Sequence, residues 1–367
     1  MITAYVSVEA VTTGASPQAG GLRHPDPRKH TMEPEKGESA LGNGWRAFRR
    51  RILTPDVSET SLVKRGFHRK SPAAQELLET VGEKFLLGYA HAVEARSVEQ
   101  AEEWLEEIPP QFRGFAYEGA GMGYGVLDGL PFGKSSNIAE FLAGPGEKHD
   151  YIIYVGVGWA MARLPRFAWP KATAFDPLLR WLVLDGYGFH QAYFKTEKYV
   201  RQQYQEPGFP WPDQRYEGYA LRAIDQGIGR ALWFICGTDV SLLAKTIEEF
   251  DESRHGDLYA GVGLASTYAC GVEADELAEL VDRAGIHHGP LAQGSAFAAE
   301  CRVRSGLLIP QTEMAAQAIC GLPAERVAAI TQEVRPAVVV DGDDVPAFET
   351  WRQRIAEEVL THGGKNK

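Results

Sequence analysis

Cysteine is scarce in this chain of 367 residues, which has four, Cys236, Cys270, Cys301 and Cys320, and no Cys-x-x-Cys pair. So few thiols argue against a disulfide framework and indicate a reducing compartment. The longest run of apolar residues and glycine, 152–162, is too short to span a bilayer. The N-terminus also lacks the basic start and apolar stretch of a signal peptide. We therefore expect a cytoplasmic protein without a transmembrane segment.

Basic residues are outnumbered by acidic ones outside the N-terminal region. The chain has 38 Lys/Arg against 49 Asp/Glu, and because residues 1–70 carry a net charge of +5, the remainder carries −16. An acidic body argues against nucleic-acid binding, which depends on Lys/Arg contacts to phosphate. The arginines of 46–51 lie beside Trp45 and Phe48. They predict an amphipathic helix with a solvated basic face or, alternatively, contact with an anionic surface.

Signatures of familiar catalytic sites are also missing. The sequence has no Gly-x-Ser-x-Gly, no Walker motif and no His-x-x-x-His spacing, so we expect no metal site and no cofactor. Alternating strand patterns are rare, and Val338–Val340 is the best candidate strand. The sequence Asp341-Gly-Asp343-Asp344 matches the Asp-x-Asp-Asp acid of class II terpene cyclases. It keeps an isoprenoid cyclase as a weaker alternative, and a solvated turn is the competing interpretation.

What the chain does have is a short Gly-x-Gly or Gly-x-Ala block that recurs through its middle. Starting positions are 30 to 41 residues apart, and blocks one and four, two and five, and three and six are offset by 105 to 108 residues. A period of about 35 residues with a duplicated three-block unit predicts an all-α tandem helical repeat, either solenoid-like or a closed α/α ring. The residues that begin the blocks are Glu118, Val155, Asp185, Gln226, Ala260 and Gln293.

The glycines predict close contact between helices, since a missing side chain lets two backbones approach. A phosphate-binding loop is the alternative, but Gly119, Gly121 and Gly123 have the wrong spacing for a dinucleotide fingerprint.

We expect a disordered extension over 1–40, in which Met32 is an alternative start. After this extension we expect three segments: an N-terminal helical segment 41–110, a duplicated helical-repeat core 111–305 and a C-terminal helical segment 306–367. Within the C-terminal segment we expect helices around 312–333 and 346–361.

The residue before each block is acidic or an amide in four of the six blocks. If the repeats converge on a common axis, these side chains form a polar pocket with perturbed pKa values; if not, the carboxylates only complement helix N-termini. Glu118 and Asp185 are the candidate general acid/base residues. His190 is the candidate proton carrier, and Arg163 the candidate partner of an anion or carbonyl.

A second set of side chains beside the blocks would bind the substrate, although ordinary core packing also explains the aromatic members. An apolar pocket with a few polar groups is typical of small-molecule sites. The candidate substrate-binding residues are Tyr117, Trp159, Tyr187, Asp225, Gln226, Arg230 and Gln293.

Six stretches around the blocks resemble an uncharacterised bacterial family. That family is a domain of unknown function found in actinobacterial gene clusters for enediyne antibiotics and related polyketides, and the resemblance covers about residues 45–355. It implies a role in antibiotic biosynthesis as specialised metabolism, and it offers no established catalytic residues. The stretches are Gly114–Gly121, Val155–Leu164, Leu179–His190, Gly227–Phe234, Asp257–Leu264 and Leu291–Phe297.

Two hypotheses follow from the residues and the resemblance together. In the first, the protein is an enzyme or enzyme-like binding protein that holds an apolar polyene-derived intermediate in a helix-walled pocket. In the second, it is a non-catalytic helical-repeat scaffold that organises the pathway enzymes. Both hypotheses allow contacts with other pathway proteins or with a second copy of the chain.

Overall fold

The computed structural model describes residues 40–131, 136–343 and 345–364, which form helices and connecting loops without a strand. The expected all-α fold is thereby confirmed. Val338–Val340, the candidate strand, lies in a loop, and the side chains of Val338 and Val340 are exposed. No neighbouring strand in the described residues offers its backbone a partner. The predicted disordered extension 1–40 lies outside the described residues, apart from residue 40. Met32, the alternative start, is also outside them.

Long central helices alternate along much of the chain with shorter ones. The central helices are α3, α5, α7, α8, α9, α11 and α13, and each packs against the next in this order. The full set is α1 (Ala40–Leu53), α2 (Leu62–Arg65), α3 (Pro72–Glu94), α4 (Val98–Glu106), α5 (Pro110–Asp128), α6 (Asn137–Ala143), α7 (Asp150–Arg163), α8 (Trp181–Phe194), α9 (Glu217–Ile235), α10 (Val240–Glu248), α11 (Glu252–Tyr268), α12 (Ala274–Ala284), α13 (His288–Arg304), α14 (Pro310–Cys320), α15 (Ala324–Glu333) and α16 (Ala347–Gly363).

Several helix ends follow directly from local sequence. The Ser71 hydroxyl caps α3 by accepting a hydrogen bond from the Ala74 N–H at 3.1 Å, and Pro72 occupies the first helical position. The helix expected around 312–333 is divided into α14 and α15. Gly321 ends α14 with a φ of +69°, a left-handed conformation that favours glycine, and Pro323 then precedes α15.

The glycine blocks set the contacts between consecutive central helices. In α9, Gly227 faces the carbonyl oxygen of Asp185 in the preceding helix, and Gly229 faces that of Leu258 in the following one. A Cβ atom at these two glycines would lie 1.8 and 2.0 Å from those oxygens. The same pair of contacts recurs along α5, α7, α8, α9 and α11, and α13 keeps the first of the two. The blocks are therefore helix–helix contact points, as the sequence predicted.

Helix α1 does not have the solvated basic face that the sequence predicted. Arg50 is 2% exposed and forms an ion pair with Glu94, and Arg49 donates to the Val93 carbonyl of α3. Trp45 and Phe48 are instead 61% and 52% exposed. The arginines turn towards α3 because its C-terminal carbonyls and Glu94 offer acceptors that the aromatic rings cannot use.

One cluster of buried apolar residues extends from Leu62 to Val359. Helices α3 and α5 pack together across the predicted boundary at 110, and α13 packs against α14, α15 and α16 across that at 305. The domain boundaries themselves stay predictions. Among the described helices, none combines the length and apolar character needed to cross a membrane.

Candidate active site in a helix-walled cavity

A cavity lies among six of the central helices. Its empty space is about 780 Å³, mouth included, and its lining comes from α3, α5, α7, α8, α9 and α11 and from the segment 55–60. Eight aromatic rings and several aliphatic side chains line it, so the interior is largely apolar with a few charged groups. The rings belong to Phe85, Phe115, Trp159, Phe189, Tyr193, Phe194, Phe234 and Tyr268.

The glycine blocks explain which side chains line this cavity. In every helix from α5 to α11 that carries a block, the residue four positions after the start of the block faces the cavity, and in four of these helices so does the residue eight positions after. Positions i, i+4 and i+8 lie on one face of a helix, so the blocks fix the rotation of each helix as well as its spacing. The first set is Met122, Trp159, Phe189, Arg230 and Leu264, and the second is Arg163, Tyr193, Phe234 and Tyr268.

A buried cluster of three charges borders the cavity, and two of its members, Glu118 and Arg230, are part of the wall. Arg230 of α9 donates through Nη1 to Asp185 of α8, and its Nη2 lies 3.5 Å from Oε1 of Glu118 in α5. Glu118, Asp185 and Arg230 are 4%, 3% and 7% exposed. One guanidinium thus serves two buried carboxylates, and burial of an uncompensated negative charge is costly. The cluster therefore favours one bound proton.

Glu118 is the carboxyl that holds this proton most readily. Burial, together with the charge of Asp185, raises its pKa to about 7, although Arg230 opposes the shift. The Trp159 indole also lowers this pKa, without reaching hydrogen-bond geometry. Burial also raises the pKa of Asp185, against the attraction of Arg230. A carboxyl with a pKa near neutrality is suited to general acid/base chemistry.

His190 lines the cavity beside the aromatic wall. Its ring lies edge-on to Trp159 at 5.5 Å and against Phe194 at 4.6 Å between centroids. Burial holds its pKa well below the ordinary value, and the nearby cations Arg163 and Lys195 add to this effect. The imidazole is therefore neutral. Asp185, five positions earlier in α8, is held by Arg230.

The mouth of the cavity carries charged groups. Arg163, the last residue of α7, is exposed and forms no ion pair within the described residues. Glu59 also belongs to the lining, and it pairs with Lys64 at 2.5 Å and with Arg65. The guanidinium of Arg65 also lies 4.6 Å from the centre of the Phe194 ring. Of these groups, only Arg163 was a candidate from the sequence.

A second polar group adjoins the first. The Gln226 amide donates to Asp257 at 2.9 Å, and Arg352 donates to the Gln293 amide oxygen at 2.8 Å and pairs with Asp257 at 3.2 Å. Asp185, Gln226, Gln293 and Arg352 line a small space of their own. The polar residues that begin the blocks do converge, but on two adjoining sites.

Five predicted substrate-binding residues do not line the cavity: Gln226 and Gln293 belong to the second polar group, and the other three lie elsewhere. Tyr117 donates from its hydroxyl to Glu106 at 2.9 Å, and Asp225 accepts from Arg254 at 2.9 and 2.6 Å. Tyr187 packs against aromatic rings of the connectors that flank α8. Tyr117 and Asp225 stand one position before the block start and Tyr187 two positions after it, so each points away from the cavity face.

Asp341 and Asp343 also lie away from the cavity. Asp341 pairs with Arg180 at 3.2 Å and accepts from the Ala347 N–H at the start of α16, and Asp343 is exposed. Asp344 is outside the described residues. The two described aspartates therefore have the surroundings of a loop and helix cap, and nothing in them favours a cyclase acid.

Groups that bind metal ions are dispersed in the described part of the chain. No three or more His, Cys, Asp or Glu side chains are arranged there to hold an ion. All four cysteines are free, and burial raises the pKa of the Cys236 and Cys270 thiols to about 11. These thiols are protonated at neutral pH and do not act as thiolate ligands there.

Fold and site together define an all-α protein with a cavity between its central helices that is lined by aromatic and a few charged side chains. The chain belongs to the family described as Protein of unknown function (DUF1702), whose profile matches residues 44–359. That range contains every residue that lines the cavity. No curated protein and no solved structure matches the chain significantly.

Proposed function

We propose that the protein binds an apolar, polyene-derived intermediate of enediyne-type polyketide biosynthesis in the central cavity and carries out acid/base chemistry on it. The observation that carries this proposal is the position of Glu118. Its carboxyl lies in the wall of an aromatic cavity with a pKa of about 7. The assignment to this pathway depends on the resemblance described above.

The shape and lining of the cavity support a small-molecule ligand. A concave, largely apolar wall that carries a few polar groups, here Glu118, His190 and Arg230, is typical of such sites. Flat aromatic rings such as Phe85, Trp159 and Phe189, which contact one another in series at 4.5 and 5.0 Å, suit a planar conjugated chain. A scaffold has no need of a buried carboxyl in such a wall.

Within the cluster, the roles of the two carboxyl groups differ. Arg230 lies closer to Asp185 than to Glu118, so Asp185 is the group that fixes the guanidinium. Glu118 is then the group that gains or loses a proton beside the ligand, with a rate effect of about 10²–10⁴ for a well-placed acid or base. His190, which is neutral, adds a polar contact for the ligand.

The test is metabolite profiling of a producing strain that lacks this gene and is complemented with Glu118→Gln. The amide has nearly the same shape but cannot exchange a proton, so we expect the pathway product to fall by at least about 100-fold and a precursor to accumulate. The matched control is Glu300→Gln, because Glu300 is also 5% exposed but lies outside the cavity and bonds to Gln332.

Each outcome of the profiling decides between the two hypotheses. Loss of product with Glu118→Gln, but not with Glu300→Gln, supports an enzyme. Wild-type product from a folded Glu118→Gln protein rejects the acid/base role and favours the scaffold. A precursor that accumulates would identify the step by its mass.

A further inference from the structure

One residue in the cavity wall is charged, whereas the lining residues at the corresponding positions of the other helices are aromatic. Of the four lining residues that stand eight positions after a block start, three are aromatic, Tyr193, Phe234 and Tyr268, and the fourth is Arg163. Arg163 is exposed at the rim and has no ion pair among the described residues. A cation at the edge of an apolar cavity is therefore available to a ligand.

A buried polar atom lies in the same part of the lining. His190 is 7% exposed, and its Nδ1 has no hydrogen-bond partner in the described part of the chain. The amide nitrogen of the adjacent Gln191 donates to the hydroxyls of Tyr187 and Tyr199, and its Oε1, although Gln191 acts to raise the pKa of His190, forms no hydrogen bond within the described residues. Buried polar atoms are nearly always hydrogen-bonded, so an unpaired one that lines a cavity indicates a missing ligand group.

The charges around this atom are mostly positive. Arg163, Lys195 and Arg65 all act on His190, and each lowers its pKa. Glu59, an acidic residue of the same lining, is already paired with Lys64 and Arg65. Positive potential in a low-dielectric cleft attracts an anion.

From these observations we propose that the ligand is amphipathic, an unsaturated chain that ends in a carboxylate. The chain lies along the aromatic wall, the carboxylate pairs with Arg163, and the Nδ1–H tautomer of His190 donates to a carboxylate oxygen. A pure hydrocarbon would leave both groups unpaired. This inference rests on the proposed function, because it concerns the same cavity, and it adds the chemical class of the ligand.

The test compares three fluorescent probes at pH 8. Diphenylhexatriene is a polyene without a head group, cis-parinaric acid is a conjugated tetraene with a carboxylate, and its methyl ester lacks the charge. We expect the acid to bind about tenfold more tightly than the ester, as for one hydrogen-bonded charge. Added salt should weaken binding of the acid and leave that of the ester unchanged.

Variants at the rim assign the effect to a residue. Arg163→Gln should remove most of the preference for the acid and leave the affinity for the ester unchanged. Arg166→Gln is the matched control, because Arg166 is also exposed but pairs with Glu206 and does not line the cavity. Arg166→Gln should keep the full preference.

The possible results separate this inference from the proposed function. If diphenylhexatriene and the ester bind but the acid binds no better, the carboxylate is rejected while the cavity keeps its proposed role. An acid preference that survives in Arg163→Gln rejects the assignment to Arg163. If none of the three probes binds, the proposed function fails and this inference fails with it.

Discussion

At the scale of single residues, the decisive feature is that Glu118 and Asp185 share one guanidinium in a buried wall. Arg230 cannot neutralise both carboxylates, and burial raises the pKa of each. The pair is therefore sensitive to pH in a range where isolated carboxylates are not. This sensitivity is measurable in the free protein, without any knowledge of the substrate.

The stability of the protein should depend on the proton of Glu118. Its pKa is about 7 in the folded protein and 4.5 ordinarily, so the folded state binds the proton more tightly. The resulting stabilisation is fully present below pH 4.5 and is lost as pH rises through 7. We expect the unfolding free energy of wild type, relative to Glu118→Gln, to fall by about 2–3 kcal/mol between pH 5 and pH 8.

Urea unfolding of both proteins at several pH values measures this difference. The subtraction removes the contributions of other titrating groups that both proteins share, as long as they act independently. A difference that stays constant from pH 5 to pH 8 would show that Glu118 remains ionised in the folded protein.

Position relative to a glycine block decides which of the residues chosen from the sequence line the cavity, and their roles there stay predictions. Glu118, Trp159 and Arg230 stand at or four positions after a block start, and all three line the cavity. Tyr117 and Asp225 were chosen because they lie next to a block. One residue along a helix corresponds to a rotation of about 100°, so their side chains point away from the cavity. Tyr268 was missed, although the same counting rule would have found it.

At the scale of helices, the glycine blocks work as paired contact points. The first glycine of a block approaches the preceding helix and the second approaches the following one. Residues two positions apart in a helix point in nearly opposite directions, so the two glycines of a block are expected to face two different neighbouring helices. The close contacts could therefore be predicted from the sequence. The partners of α16 could not be predicted from the sequence. Its Arg352 contacts Asp257, which is 95 positions earlier in the chain, and a contact between such distant residues leaves no local sequence pattern.

A single methyl group should test these contacts. Gly227→Ala places a Cβ 1.8 Å from the Asp185 carbonyl oxygen and 2.7 Å from the Phe189 nitrogen, and backbone atoms cannot move aside cheaply. We expect a loss of at least about 3 kcal/mol in unfolding free energy, at the upper end of overpacking effects. Chemical denaturation monitored by circular dichroism provides the measurement.

The same helix supplies a control for the glycine substitution. Gly218 in α9 has no atom within 4 Å of the position that a Cβ would occupy, so Gly218→Ala changes only backbone freedom. It should stabilise the protein by up to about 1 kcal/mol. Equal effects of the two substitutions would contradict the role assigned to the blocks.

At the scale of the whole molecule, the cavity arises because consecutive helices present one face inwards. The period predicted a row of packed helices but left a solenoid and a closed ring as alternatives. Glycine spacing reports the distance between neighbours, whereas the curvature of the row depends on crossing angles set by side-chain volumes along the whole contact. Contacts such as Phe115 with Tyr268, between α5 and α11, could not be inferred from the repeat.

The central claim is that this cavity holds an apolar polyene, and diphenylhexatriene binding tests it most directly. Wild type should bind the probe saturably with one site per chain. Ala265→Phe, which adds a ring to the lining in α11, should abolish binding, and Ala73→Phe on the exposed start of α3 should not. Thermal melting shows whether each variant is folded. No binding to wild type, or equal binding to folded Ala265→Phe, would contradict the claim.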